Sequence, residues 1–192
     1  MDIDYSHQHW AQTLPPGVRQ MFVGAHTLCE PDRLENMLDQ WAVRLTLEYQ
    51  GSDPLLLTDV PGGLVLGAML LRRLVFPCGH EALSLSDLDA ETLGKDWRLA
   101  ERDIVLCCGR VRLTDLQKWR SQFESLGGDC NRLRVLTLVA DAATQAGAAQ
   151  MPLSLWVVVQ TEAQRVIGSG LTVSGYGANL PGIYDVGLQD AA

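Results

Sequence analysis

The stretch from Asp103 to Ala140 constrains the fold more than any other part of this chain. Ile104, Val105, Leu106, Cys107 and Cys108 make Asp103–Leu113 apolar enough for a buried strand. Thr114 follows as a helix N-cap, and Gln117, three residues on, completes a capping box. Leu116, Trp119, Phe123 and Leu126 then share one helical stripe, and Gly127-Gly128 supplies a left-handed stop. Leu133–Ala140 reads as the returning strand. This β-α-β unit demands a mixed domain.

The flanking segments are read against that unit. Residues 1–15 form a polar arm closed by Pro15-Pro16-Gly17, and a helix starts near Pro16. A second helix starts at Pro31, with Leu34, Met37, Leu38 and Trp41 on one stripe. The period then changes to two: Val43, Leu45, Leu47 and Tyr49 alternate with Arg44, Thr46 and Glu48, which predicts a half-buried strand. Leu55–Val60 is expected to pair with it as a hairpin, ending in the turn Pro61-Gly62-Gly63. The run Leu64–Phe76 suits helix or strand; its early glycines favour a helix over its second half. Leu83 and Leu85 suggest a short strand, and Ser86–Leu93 a short helix. Ala142–Met151 reads as a flexible connection. Leu153–Gln160 and Arg165–Val173 read as a hairpin through Thr161–Gln164, and the tail from Gly175 as irregular. The expected fold class is α+β: a mainly antiparallel sheet with two or three helices packed on one face. It comprises a single domain, residues 16–192, behind the arm.

Composition bounds the function. At 192 residues and 47% hydrophobic the chain can bury a core without a disulfide framework. Net charge is −8, which excludes a global field for nucleic acid and a polybasic membrane anchor. That charge is uneven. Residues 1–50 carry 7 acids and 3 bases, residues 101–150 carry 6 and 7, and residues 151–192 only 3 and 1. The acidic start lacks a secretory pattern, and the most apolar run contains Arg72 and Arg73, so no membrane association is expected. Five cysteines without regular spacing fit a reducing cytoplasm.

Motifs for phosphate loops, dinucleotides, zinc hydrolysis and nucleophile elbows are absent, so no cofactor and no metal is expected. Cys78, His80 and Glu81 place a thiol, an imidazole and a carboxylate within four residues, the pattern of a thiolate activated by a neighbouring base. Such close neighbours seldom reach triad geometry, and they stand as weak catalytic candidates. Cys107-Cys108, on opposite faces of a strand, cannot jointly hold a metal and read as core. His7 and His9 lie in the arm without further ligands. Arg110 and Arg112 end the first strand of the β-α-β unit, and Arg132 and Arg134 begin the second. They are candidate ligand-binding residues for an anion, although parallel neighbouring strands would put the two pairs at opposite ends of the sheet. Nucleic acid is disfavoured, because Trp119 and Phe123 are committed to the helix stripe.

The resulting expectation is a non-catalytic, bacterial-type cytoplasmic accessory or adaptor protein, leaning away from an enzyme. It would act by binding a protein partner, with a homodimer formed through residues 153–174. The alternative is a small enzyme or small-molecule-binding protein. Its pocket would lie near Cys78, His80 and Glu81, with Arg110 and Arg112 holding an anionic group.

Overall fold

The computed structural model describes residues 12–85 and 98–187, arranged as two compact units, residues 36–161 and residues 1–35 with 162–192. The residues of the expected helix Ser86–Leu93, and His7 and His9, lie outside the described residues.

The larger unit is built on a five-stranded sheet in the order β3-β2-β4-β5-β6. The strands are β2 (Leu55–Asp59), β3 (Gly79–Leu83), β4 (Ile104–Arg110), β5 (Leu133–Ala140) and β6 (Ser154–Gln160). Every pairing among them is parallel. Strands that run parallel need crossover connections. These are α3 (Leu64–Leu71), α4 (Leu113–Ser125) and α5 (Ala142–Ala148). Leu55, Leu57, Ile104, Leu106 and Val135 pack with Leu116, Trp119 and Phe123 of α4 on one face. On the other face Leu56 and Val105 meet Leu45 of α2 (Pro31–Tyr49), and Trp156 meets Trp41 at 5.8 Å between ring centroids. Helices therefore cover both faces. The expectation of a mainly antiparallel sheet with helices on one face is corrected: near-continuous apolar strands such as Ile104–Cys108 are what a sheet buried on both faces requires.

Several local readings change with it. α2 continues unbroken through the residues expected to be a strand. Leu38, Trp41, Leu45 and Tyr49 are buried at helical spacing, while Val43 and Leu47 are 60% and 69% exposed, so the apparent alternation was coincidental. With no strand there, β2 has no hairpin partner and lies between β3 and β4. α3 occupies the first half of 64–76, because Gly67 serves close packing and does not break the helix. A Cβ there would strike Thr58 Oγ1. Ala142–Ala148 is a helix whose N-cap Asp141 accepts the Thr144 amide, where a flexible connection was expected.

The smaller unit joins both ends of the chain. α1 (Pro16–Val23) packs Val18, Met21 and Phe22 against Ile167, Tyr184 and Val186. The sheet is three-stranded and antiparallel, in the order β1-β8-β7: β1 (His26–Cys29), β7 (Val166–Ile167) and β8 (Ile183–Asp185). The expected hairpin across 153–173 is therefore absent. β6 and β7 belong to different sheets, and the tail supplies a strand. All five cysteines are free, and no helix among the described residues is long and apolar enough to cross a membrane.

Candidate functional site

β2 and β4 lie side by side, yet their connections diverge. β2 leads through α3 to β3 on one flank, and β4 leads through α4 to β5 on the other. Divergence of this kind leaves a crevice outside the carboxyl ends of the strands, where open α/β sheets take their ligands.

The β2 side of the crevice is the loop Val60-Pro61-Gly62-Gly63, in which the Val60–Pro61 peptide is cis. The Gly63 amide donates to the Asp59 carbonyl at 2.6 Å and opens α3. A Cβ on Gly63 would strike the Cys107 carbonyl oxygen and lie 2.9 Å from that of Asp59, so only glycine lets this loop lie against β4. The Asp59 carboxylate accepts the Leu85 amide at 3.1 Å, tying the end of β2 to the residues just past β3. Burial pushes the Asp59 carboxyl up from its ordinary value. The Leu85 amide partly opposes the rise, and the charge of Asp115 adds to it.

The β4 side carries the cations. Arg110 ends the strand, half-buried, and Arg112 is the exposed N-cap of α4. Asp115 accepts the Arg112 amide at 2.9 Å. Arginine offers no acceptor, so the reciprocal half of a capping box is missing. The expected cap at Thr114 with Gln117 is thereby corrected to Arg112 with Asp115. Asp141, at the end of β5, accepts the Thr144 amide at 2.6 Å. Thr144 holds the Asp141 carboxyl below its ordinary value, helped by the charges of Arg110 and Arg112. The crevice thus has a cationic flank near Asp141 and, at Asp59, a carboxyl that burial pushes up from its ordinary value. The first-turn amides of α4 lie beside the cations. Amides and guanidinium groups suit an anion such as a phosphate. Among the described residues no three His, Cys, Asp or Glu side chains gather as a metal set.

The residues singled out from sequence fall in three places. Arg110 and Arg112 border the crevice. Arg132 and Arg134 sit at the amino end of β5, since Ile104 pairs with Leu133 and Arg110 with Val139. There Arg132 bonds the Glu101 carbonyl, and Arg134 bonds Glu48 and Tyr49. Cys78 precedes β3, and burial pushes its thiol up, against the activation a nucleophile needs. His80 Nε2 lies 3.2 Å from Thr58 Oγ1, and Glu81 is exposed on the opposite face of the same strand. His80 is level with Val105 through Leu56, five residues short of Arg110, or about 16 Å along the strands. The thiol–imidazole group and the Arg110–Arg112 pair do not form one pocket. Cys107 and Cys108 are fully buried, with Cys108 pushed up to about 12 by burial. Sequence reading missed Asp59, the Val60–Gly63 loop, Asp115 and Asp141. The available signal was an apolar run, then Gly-Gly, then a second apolar run: strand, loop, helix.

No family model and no curated protein matches this sequence. Solved structures do match it. A hypoxanthine-guanine-xanthine phosphoribosyltransferase superposes with a TM-score of 0.66 at 17% identity, over 82% of this chain and 92% of the other. Hypoxanthine phosphoribosyltransferase from Trypanosoma cruzi, in complex with the product IMP, gives 0.64 at 19% identity over 82% and 87%. Hypoxanthine-guanine phosphoribosyltransferase from Bacillus anthracis gives 0.63 at 17% identity over 83% and 96%. The fold is that of the phosphoribosyltransferases.

That result overturns the expectation of a non-catalytic accessory protein acting by protein binding, and the leaning away from an enzyme. The adaptor reading rested on two premises: no catalytic constellation, and a partner-binding antiparallel sheet at the C-terminal end. The phosphoribosyltransferase fold removes the second, because β6 belongs to the parallel sheet. It also weakens the first, because an open α/β sheet gathers its crevice from the carboxyl ends of strands that lie apart in the sequence.

Proposed function

We propose that this chain is an enzyme that binds a phosphorylated ribose in the crevice between β2 and β4 and transfers the phosphoribosyl group to a nitrogenous base. The observation that carries this reading is the cationic carboxyl edge, Arg110 and Arg112 with the first turn of α4, at the sheet's switch point. In such a transfer a base nitrogen bonds to ribose C1 while the bond from C1 to the leaving group breaks. The leaving group departs with the electron pair, and the base nitrogen loses its proton. Arg112 would hold a phosphate, and the Asp59 carboxylate would accept the proton that the base nitrogen loses. The purine salvage enzymes among the similar folds make a purine the first base to try. Five free cysteines support a cytoplasmic setting.

A second reading, binding of the phosphoribosyl ligand without transfer, is favoured by one feature. Asp115 and Asp141, two of the three carboxylates at the edge, are already engaged by helix-end amides. Calorimetric titration with phosphoribosyl pyrophosphate, IMP and GMP, followed by mass spectrometry of mixtures with purine bases, separates the two. Binding with nucleotide formation supports transfer, and binding alone supports the second reading. Absence of any binding overturns both.

A further inference from the structure

The charge of a phosphate ligand can be met in two ways. Mg²⁺ can join its oxygens to one or two protein carboxylates, keeping several waters of its own. Guanidinium groups and helix amides can instead meet the oxygens directly. At the carboxyl edge of the parallel sheet the carboxylates are engaged elsewhere. One oxygen of Asp115 accepts the Arg112 amide at 2.9 Å, and one of Asp141 the Thr144 amide at 2.6 Å, each fixing the first turn of a helix. Thr144, and after it the charges of Arg110 and Arg112, hold the Asp141 carboxyl below its ordinary value. A dication brought to Asp141 therefore meets the repulsion of both guanidinium groups. Asp59 is half-buried, accepts the Leu85 amide, and is the proton acceptor of the proposed transfer. A cation bound to it would make it a weaker base. The donors, by contrast, are in place. The Asp115 and Leu116 amides turn back to the Arg112 carbonyl at 3.0 and 3.1 Å, and those of Leu113 and Thr114 have no backbone partner among the described residues.

We infer that the crevice takes its phosphate ligand free of any divalent cation, with Arg110, Arg112 and the Leu113 and Thr114 amides meeting the charge that Mg²⁺ would otherwise carry. Resting on the phosphoribosyl reading, this fixes the form of the substrate as the uncomplexed anion. Magnesium in solution then competes with the chain for the same oxygens. Complexation lowers the ligand's negative charge, and with it the attraction of the two guanidinium groups. Monovalent salt weakens binding as well, because Arg112 is exposed and its field is screened within about 8 Å at physiological ionic strength.

Calorimetric titration of the full chain tests it, with phosphoribosyl pyrophosphate and with inorganic pyrophosphate, each in EDTA and in excess MgCl₂ at one ionic strength. Both anions are expected to bind in EDTA at least as tightly as in MgCl₂. Arg112→Ala is expected to weaken binding in EDTA about tenfold or more, the loss of a charge-assisted hydrogen bond. A spectroscopic arm uses Mn²⁺ mixed with phosphoribosyl pyrophosphate. Added chain should withdraw the anion and raise the paramagnetic resonance signal of free Mn²⁺. Tighter binding with Mg²⁺, or a fall in the free Mn²⁺ signal, overturns the inference and leaves the phosphoribosyl reading standing. Binding in EDTA that a folded Arg112→Ala variant leaves intact also overturns it. If that variant fails to fold, the comparison of EDTA with MgCl₂ on the parent chain decides. Pyrophosphate bound in EDTA, with phosphoribosyl pyrophosphate bound in neither buffer, supports the inference and overturns the phosphoribosyl reading. No binding of either anion overturns both.

Discussion

Gly63 sets the geometry of the crevice at the level of one atom, since a Cβ there meets two carbonyl oxygens that cannot move without shifting β4 or β2. Gly63→Ala is expected to cost about 1–3 kcal/mol in denaturant unfolding, as overpacking does, and to weaken ligand binding with it. At Gly62 the nearest atom to an added Cβ is 3.7 Å away. Gly62→Ala should therefore stay within about 0.5 kcal/mol; equal losses at both positions would refute the packing argument. The aspartates differ in the opposite sense with pH. Asp141 titrates below its unfolded value of 3.8, so its contribution is present above that value and lost as pH falls through the folded one. Asp59 titrates above 3.8, so its contribution is complete in acid and lost as pH rises through its folded value. Asp59→Asn keeps an acceptor for the Leu85 amide. It should gain stability relative to the parent at neutral pH and not in acid, whereas Asp141→Asn should lose stability at neutral pH. Urea titrations at the two pH values check both signs.

At the scale of elements, what was legible followed from side-chain periodicity wherever a single period dominated. α4 shows this: Leu116, Trp119 and Phe123 are its buried stripe, and Gly127, at φ +81, ends it. α2 shows the failure. Val43, Leu45, Leu47 and Tyr49 satisfy a period of two, but Leu38, Trp41, Leu45 and Tyr49 satisfy a helix, and burial selects the second set. Only tertiary packing distinguishes them, because a β-branched or aromatic residue costs a helix a few tenths of a kcal/mol whereas burying a leucine is worth roughly 1.5–3 kcal/mol. The distinction is measurable. In a strand, residues 45 and 47 would share a face and respond alike. In the helix, Leu45→Ala should cost about 2–5 kcal/mol and Leu47→Ala less than about 0.5 kcal/mol. α5 was missed for another reason: its Ala- and Gly-rich sequence has no stripe, and its start depends on the carboxylate of Asp141. Asp141→Ala should destabilise the chain by about 1 kcal/mol, read from the urea midpoint at neutral pH.

At the scale of the whole molecule, strand direction was the decisive unknown. Local pattern records which residues are buried but not whether neighbouring strands run together or opposed, and the site depends wholly on that choice. Because β4 and β5 are parallel, Arg110–Arg112 and Arg132–Arg134 lie at opposite ends of one sheet. At the amino end Arg134 is held by Glu48 and Tyr49 and lies over the Trp156 ring at 4.7 Å, and Arg132 approaches Asp103 at 4.0 Å. Under the proposed function the carboxyl-end pair, at the end of β4 and the N-cap of α4, acts with the first-turn amides of α4 on the anion. An anionic ligand should therefore distinguish the two ends of a chain in which its sequence distinguishes only four arginines. Arg112→Ala is expected to weaken binding of phosphoribosyl pyrophosphate about 10- to 100-fold, the loss of a charge-assisted hydrogen bond worth roughly 1.5–3 kcal/mol. Arg132→Ala removes the same unit of charge from the net field but no contact at the crevice, so its effect should stay within about threefold, the scale of a screened surface charge. Calorimetric titration of both variants at one ionic strength compares them. A larger loss at Arg132 than at Arg112 would move the site to the amino edge and refute the switch-point assignment, because no common field effect could produce that order.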